Sequence, residues 1–239
     1  MKIAVLNDTS GAEARVAATP DTVKFYVDAG HEVTVVKGAG KAAAFADPLY
    51  TDVGAKLAAS NTAAVKSADV VLSVTGGTEK LLAGMKKGAA ITGLLSPTDH
   101  PKYIEAAASA GVTAIALEWI PRISRAQSMD VLSSQSNLAG YRCVVEGAGI
   151  YGRALPMMMT AAGTLAPAKI FIMGVGVAGL QAIATARRLG AVTTATDVRP
   201  ATKEQVASLG AKFIAVENDE FKAAETAGRY AKQMSAEYQ

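Results

Sequence analysis

The chain has 239 residues, of which half are hydrophobic, 19% charged and 5% aromatic, with a net charge of +3. That length suits one large or two small domains, and the interspersed acids and bases leave no basic stripe for nucleic acid. Cys143 is the single cysteine, which excludes an internal disulfide and points to a reducing compartment. The two histidines, His31 and His100, lie far apart, each beside a turn, so a histidine-based zinc site is not expected. The opening MKIAVLND reaches an aspartate too soon for a signal peptide. The longest uncharged run, 170–186, holds three glycines and a turn, which fits a strand and a helix rather than a membrane span.

Taken in order, Lys2 to Asn7 predicts a first strand. Thr19-Pro20 opens a helix, with the threonine as cap and the proline in the first turn. Val23, Tyr26 and Val27 form its buried face, and Gly30 ends it. His31 to Lys37 is a second strand, and Gly38-Ala39-Gly40-Lys41 is a turn without phosphate-loop spacing. Helical patterns cover Tyr50 to Ala59 and Thr62 to Lys66. Strands follow at Asp69 to Thr75, Ala89 to Leu95 and Val112 to Leu117. The intervening helices begin at Glu79 and at Pro101, and Gly111 closes the second. Strand–helix alternation of this kind implies a mainly parallel sheet.

The pattern breaks at Trp119 to Asp130, a stretch with neither strand nor clean helix period that carries two arginines, a glutamine and an aspartate. Val131 to Ile150 is then helical. Pro156 to Met159 and Ala166-Pro167 bracket the entry to a second domain, where the methionines read as packing.

Lys169 to Arg199 carries the clearest signal. A buried strand, Ile170 to Met173, leads into Gly174-Val175-Gly176-Val177-Ala178-Gly179. A helix follows, with Leu180, Ile183, Ala186 and Leu189 at spacing three, Arg187 and Arg188 in its last turn and Gly190 at its end. A second strand, Val192 to Thr196, ends in Asp197, 18 residues beyond Gly179. Strand, glycine turn, helix, strand and acid are the dinucleotide fingerprint in order. Gly174 permits the turn, Gly176 the approach of a pyrophosphate, and Gly179 close packing of helix on strand. The helix N-terminus offers N–H groups to phosphates. Asp197 can accept from ribose hydroxyls and would repel a 2′-phosphate, which favours NAD over NADP; Arg199 weakens that preference.

Two motifs carry a resemblance over the whole chain. One is Pro121 to Asp130 with Leu132 to Tyr141; the other is Gly174 to Gln181 with Asp197-Val198-Arg199. Together they resemble the NAD(H)-binding alpha component of the proton-translocating NAD(P) transhydrogenases, within the alanine dehydrogenase superfamily. Arg15-Val16-Ala17 with Thr19-Pro20 is similar to that superfamily's N-terminal signature. The resemblance implies that Arg122, Gln127 and Asp130 hold and align the nicotinamide end of NADH, as the catalytic set, with Ser133 nearby. It assigns Gly174, Gly176, Val177 and Gly179 to the pyrophosphate and Asp197, Val198 and Arg199 to the adenosine ribose. It makes Tyr230 a residue of a loop that closes over NAD(H), although Arg229 stands where that loop usually has glycine.

The implied reaction is hydride transfer from NADH to NADP⁺ held on a partner component, coupled to proton movement through a membrane-embedded component. The implied partners also include a second copy of the chain, and the implied location is the cytoplasm or the cytoplasmic face of the inner membrane. Exchange of a hydride between two nicotinamides needs positioning and water exclusion rather than a general base. The donors and carboxylate of the 122–130 loop suit that task, although Arg122 and Asp130 could instead simply pair with each other. An alanine dehydrogenase-type enzyme is the alternative, and a nucleotide-binding fragment without turnover a third reading. Alanine dehydrogenases place a catalytic lysine and histidine where this chain has Leu72-Ser73 and Gly93 to Ser96.

The expected fold is α/β: two Rossmann-like domains with mainly parallel sheets, the second incomplete. The expected boundaries are an N-terminal domain at 1–130, an interdomain helix and linker at 131–168, and a partial NAD-binding domain at 169–239. After Asp197 the pattern supplies only a helix, Ala201 to Leu209, a strand, Lys212 to Val216, and the loop-like segment. These features predict a truncated chain with an open sheet edge at the 170–173 strand, weaker NADH binding than a longer version, and an unanchored segment from Glu217 to Gln239.

Overall fold

A computed structural model describes residues 1–9, 13–121, 123–224, 232 and 234–236. The chain divides into two compact units, Met1–Asp130 and Val131–Gln239.

In the first unit six parallel strands are β1 (Lys2–Val5), β2 (Glu32–Val36), β3 (Lys56–Ala58), β4 (Val70–Leu72), β5 (Ala90–Gly93) and β6 (Thr113–Ala116). They lie in the order β3-β2-β1-β4-β5-β6, the doubly wound arrangement whose order reverses at β1 and β4. The helices between them are α1 (Pro20–Asp28), α2 (Asp47–Thr51), α3 (Asn61–Val65), α4 (Glu79–Leu82) and α5 (Pro101–Ala110). Thr19 caps α1, its side chain accepting from the Thr22 N–H at 3.3 Å, and Pro20 occupies the first turn. Two apolar clusters cover the two sheet faces: Ile3, Val5, Val33 and Val35 point to one, Ala4, Leu6, Val36 and Val71 to the other. This alternation is the period-two pleat with both faces buried.

One element departs from expectation. The helix expected over Tyr50 to Ala59 stops at Thr51, and Lys56–Ala58 is the edge strand β3, with Val35 opposite Leu57. Pairing with β2 overrides a local pattern that is also compatible with helix.

The second unit opens with α6 (Val131–Ile150). A two-stranded antiparallel hairpin follows, β7 (Met158–Thr160) and β8 (Gly163–Leu165), where no strand was expected. Met157, Met158 and Met159 are exposed rather than packed. Then come β9 (Lys169–Met173), α7 (Val177–Arg188), β10 (Val192–Thr196), α8 (Thr202–Ser208), β11 (Lys212–Phe213) and α9 (Asp219–Lys222). The parallel sheet is ordered β11-β10-β9, so β9 has one unpaired side among the described residues. The buried stripe of α7 is Ala182, Ile183, Thr185 and Ala186, while Leu189 is exposed; a helix turns every 3.6 residues, so a spacing of three drifts off the buried face.

β11 is shorter than the strand expected to reach Val216, and Val216 is exposed. Of the segment from Glu217 to Gln239, expected to lack an anchor, residues 218–224 have one, while 225–231, 233 and 237–239 lie outside the described residues. The Asn218 side chain caps α9 through the Phe221 N–H at 2.9 Å, and Phe221 is buried with its ring 6.2 Å from that of Phe213. No described helix is long and apolar enough to cross a membrane.

Candidate nucleotide site

In the second unit the fingerprint folds as one local structure. The Gly174 N–H donates to the Thr196 carbonyl at 2.9 Å, extending the β9–β10 ladder into the turn. Gly174 has φ +90°, which favours a residue without Cβ. A Cβ on Gly179 would meet the Gly174 carbonyl carbon at 2.9 Å and the carbonyl oxygen closer still, so α7 sits on the turn's own backbone. Gly176 is different: its φ is −84°, and no atom lies within 4 Å of a Cβ built there. It is the N-terminal flanking residue of α7, and among the described residues no side chain caps the helix. The first-turn N–H groups of α7 are therefore left for another acceptor. Gly174, Gly176 and Val177 are exposed, whereas Val175 is buried and anchors the turn.

Asp197 holds the same turn from the other strand. One carboxylate oxygen accepts from the Val175 N–H at 2.7 Å and from the Arg199 NH2 nitrogen at 2.9 Å. The other accepts from the Arg199 backbone N–H and Nε, both at 2.9 Å. The Arg199 guanidinium also donates to the Val175 carbonyl at 3.1 Å. Burial pushes the Asp197 carboxyl toward the neutral form, but the Arg199 and Val175 hydrogen bonds outweigh it and hold the group below the usual aspartate range. Sequence spacing placed Asp197 at the strand end; the four-fold occupation of its carboxylate, and Val198 half-buried beside it, are structural findings.

The other expected site residues lie in different segments. Ser124–Met129 is a 3₁₀ stretch that closes the first unit, anchored by buried Ala126, with Gln127 exposed. The Asp130 N–H donates to the Gln127 carbonyl at 3.2 Å, ending the stretch. Ser133 is half-buried in the first turn of α6. Arg122 and Tyr230, with Arg229 and most of the expected closing loop, lie outside the described residues.

A second polar network was not anticipated from the sequence. Buried Asp8, beyond β1, accepts from Ser73 Oγ at 2.8 Å and the Val74 N–H at 2.7 Å. Ser73 Oγ accepts from the Gly76 N–H at 2.8 Å, and Tyr103 OH donates to the Gly76 carbonyl at 2.6 Å. Burial, with the nearby Asp8 charge, pushes the Tyr103 hydroxyl up to about 12. The network ties β1 to the β4 loop and to α5 at the carboxyl end of the sheet. Ser73 is thus engaged in holding a loop, at a place where alanine dehydrogenases are expected to carry a catalytic lysine.

A doubly wound first unit and a strand–glycine turn–helix–strand–acid second unit define a Rossmann-like α/β protein. Residues 4–139 match the alanine dehydrogenase/PNT N-terminal domain and residues 143–236 the alanine dehydrogenase/PNT C-terminal domain. The chain belongs to the alanine dehydrogenase/PNT family. It is 52% identical over 244 aligned residues to the first portion of the NAD(P) transhydrogenase alpha subunit of Rhodospirillum rubrum, with all of this chain and 63% of that protein covered. It is 40% identical to NAD(P) transhydrogenase subunit alpha of Haemophilus influenzae, covering 46% of it. Among solved structures, transhydrogenase from Sinorhizobium meliloti superposes with a TM-score of 0.85 at 52% identity, over 90% of this chain and 64% of that one. An L-alanine dehydrogenase superposes with a TM-score of 0.75 at 28% identity, over 89% of this chain and 60% of that one. The chain therefore spans less than two-thirds of the length of these relatives.

Proposed function

We propose that this chain is the NAD(H)-binding component of a proton-translocating NAD(P) transhydrogenase, and that it presents NADH for hydride transfer to NADP⁺ on a partner component. The observation that carries the nucleotide reading is Gly176. Gly174 is explained by its φ and Gly179 by its contact with Gly174, but nothing in the fold requires glycine at Gly176. Its remaining use is to let a pyrophosphate reach the uncapped start of α7. The relatives' names support the reaction, and the loop around Gln127 and Asp130, with Arg122, supplies the groups for gripping a carboxamide and ribose.

Asp197 supports NAD over NADP at this turn, and the Arg199 guanidinium beside it weakens the preference. A carboxylate has about four acceptor positions, and four donors fill them here. In the complex, ribose hydroxyls take places now held by the Arg199 guanidinium. A fully ionised 2′-phosphate cannot donate to Asp197 and is repelled by its charge, and the Arg199 guanidinium beside it moderates that repulsion. Asp197→Ala is expected to weaken NADH binding by roughly 1–3 kcal/mol, the scale for stranding buried polar partners. Calorimetric titration of the two proteins checks it, and equal affinities would remove Asp197 from the site.

The family reading also includes a homodimer, and the β7–β8 hairpin supports it. Among the described residues its two strands pair only with each other, and Met157, Met159 and Leu165 are all more than half exposed. A lone two-stranded hairpin is marginal in water, and a second copy would cover these side chains. Met159→Asp is expected to shift the protein from dimer to monomer in sedimentation velocity; a monomeric parent, or an unchanged dimer, would refute the assignment. The NADP(H)-binding and membrane-embedded components complete the proposed assembly, at the cytoplasmic face of the membrane.

A further inference from the structure

The second unit contains a backbone contact that the fingerprint does not include. A Cβ on Gly140, within α6, would lie 2.8 Å from the carbonyl carbon and 2.9 Å from the Cα of Ala178, and closer still to the Ala178 oxygen. Ala178 is in the first turn of α7, so α6 rests directly on the start of the helix that follows the glycine turn. Just past the end of α6, Tyr151 shares a cavity wall with Lys169, the first residue of β9. Between these points Val144 packs in the core with Ile172 and Ala182. α6 therefore descends beside β9 from its carboxyl end to its start, alongside α7. The stretch of α6 before Gly140 stands beyond the strand ends, on the side where the glycine turn opens.

Ser133 is seven residues before Gly140. Two helical turns put it on the same face of α6, about 10 Å further along the axis. A helix is stiff over this length, so the point where it touches α7 fixes where its first turns stand.

We propose that Gly140 is a positioning residue for the nucleotide: its bare Cα lets α6 seat on the Ala178 backbone and so sets the span between the glycine turn and the Ser133 turn. This rests on the reading that both turns face NADH. Backbone blocks the site of the missing Cβ, so no rotamer change can make room, and alanine there must push the helices apart. Gly147 is the internal control: it lies on the same helix, and nothing is within 4 Å of a Cβ built on it.

The test compares the parent, Gly140→Ala and Gly147→Ala by NADH calorimetry and amide hydrogen exchange. Gly140→Ala is expected to bind NADH at least ~tenfold more weakly with unchanged stoichiometry, and to exchange faster at the Leu180 N–H, which donates to the Gly176 carbonyl at 2.9 Å. Gly147→Ala is expected to match the parent in both. Parent affinity in Gly140→Ala, or parent affinity with reduced stoichiometry, would make Gly140 merely structural and overturn the proposal while leaving the nucleotide reading intact. A parent that binds no NADH overturns both. If Gly140→Ala does not fold, exchange in the parent decides: NADH must slow residues 137–141 and 177–180 together, and protection confined to 177–180 overturns the proposal.

Discussion

Gly176→Ala is expected to leave the fold unchanged and to lower NADH affinity by about ten- to a hundredfold. The structural half follows from the open space around a Cβ at this position and its ordinary φ of −84°. The binding half follows from placing a methyl group where a pyrophosphate must touch backbone; forced overpacking costs about 1–3 kcal/mol. Thermal denaturation and NADH titration read the two halves separately. The neighbouring Gly179→Ala should behave in the opposite way, losing stability first, because its Cβ meets the Gly174 backbone. If Gly176→Ala unfolds the second unit, or binds NADH like the parent, the glycine serves the fold and the main support for the site is gone.

Gln127→Ala and Asp130→Ala are expected to lower hydride transfer on the order of a hundredfold while changing NADH affinity far less. Gln127 is exposed on a short 3₁₀ stretch that buried Ala126 pins, and Asp130 ends that stretch. Such a loop can hold a ring in place without contributing most of the binding energy, and a misplacement of about 1 Å can cost that factor in rate. The assay is transfer from NADH to an NADP⁺ analogue, in a chain extended to the relatives' full length and mixed with the NADP(H)-binding component. Parent rates in both variants would mean that the loop is structural.

Much of the second unit was legible because its signal is local. The run from Lys169 to Asp197 encodes strand, turn, helix and strand by residue spacing alone, and each element forms within a few residues of its expected place. The first unit's principal strands were legible for the same reason. What the sequence hid depends on tertiary partners or lacks a local marker. β3 is only three residues long and exists because β2 pairs with it. The β7–β8 hairpin lacks the Asn-Gly or Asp-Gly turn that marks such loops. The Asp8 network joins residues 66 positions apart, and Phe221 finds its place against Phe213 only in the folded unit. Arg199 appeared in the sequence as a residue that weakens the preference for NAD. Folded, its guanidinium bonds the Asp197 carboxylate and the Val175 carbonyl, contacts that residue spacing alone does not give.

The most direct measurement of the central claim is a paired calorimetric titration of this chain with NADH and with NADPH under one buffer condition. Saturable binding of one NADH per chain, with NADPH binding at least ~tenfold more weakly, is the result that the Asp197 and Gly176 geometry predicts. Equal affinity for the two nucleotides, or no saturable NADH binding, would contradict it.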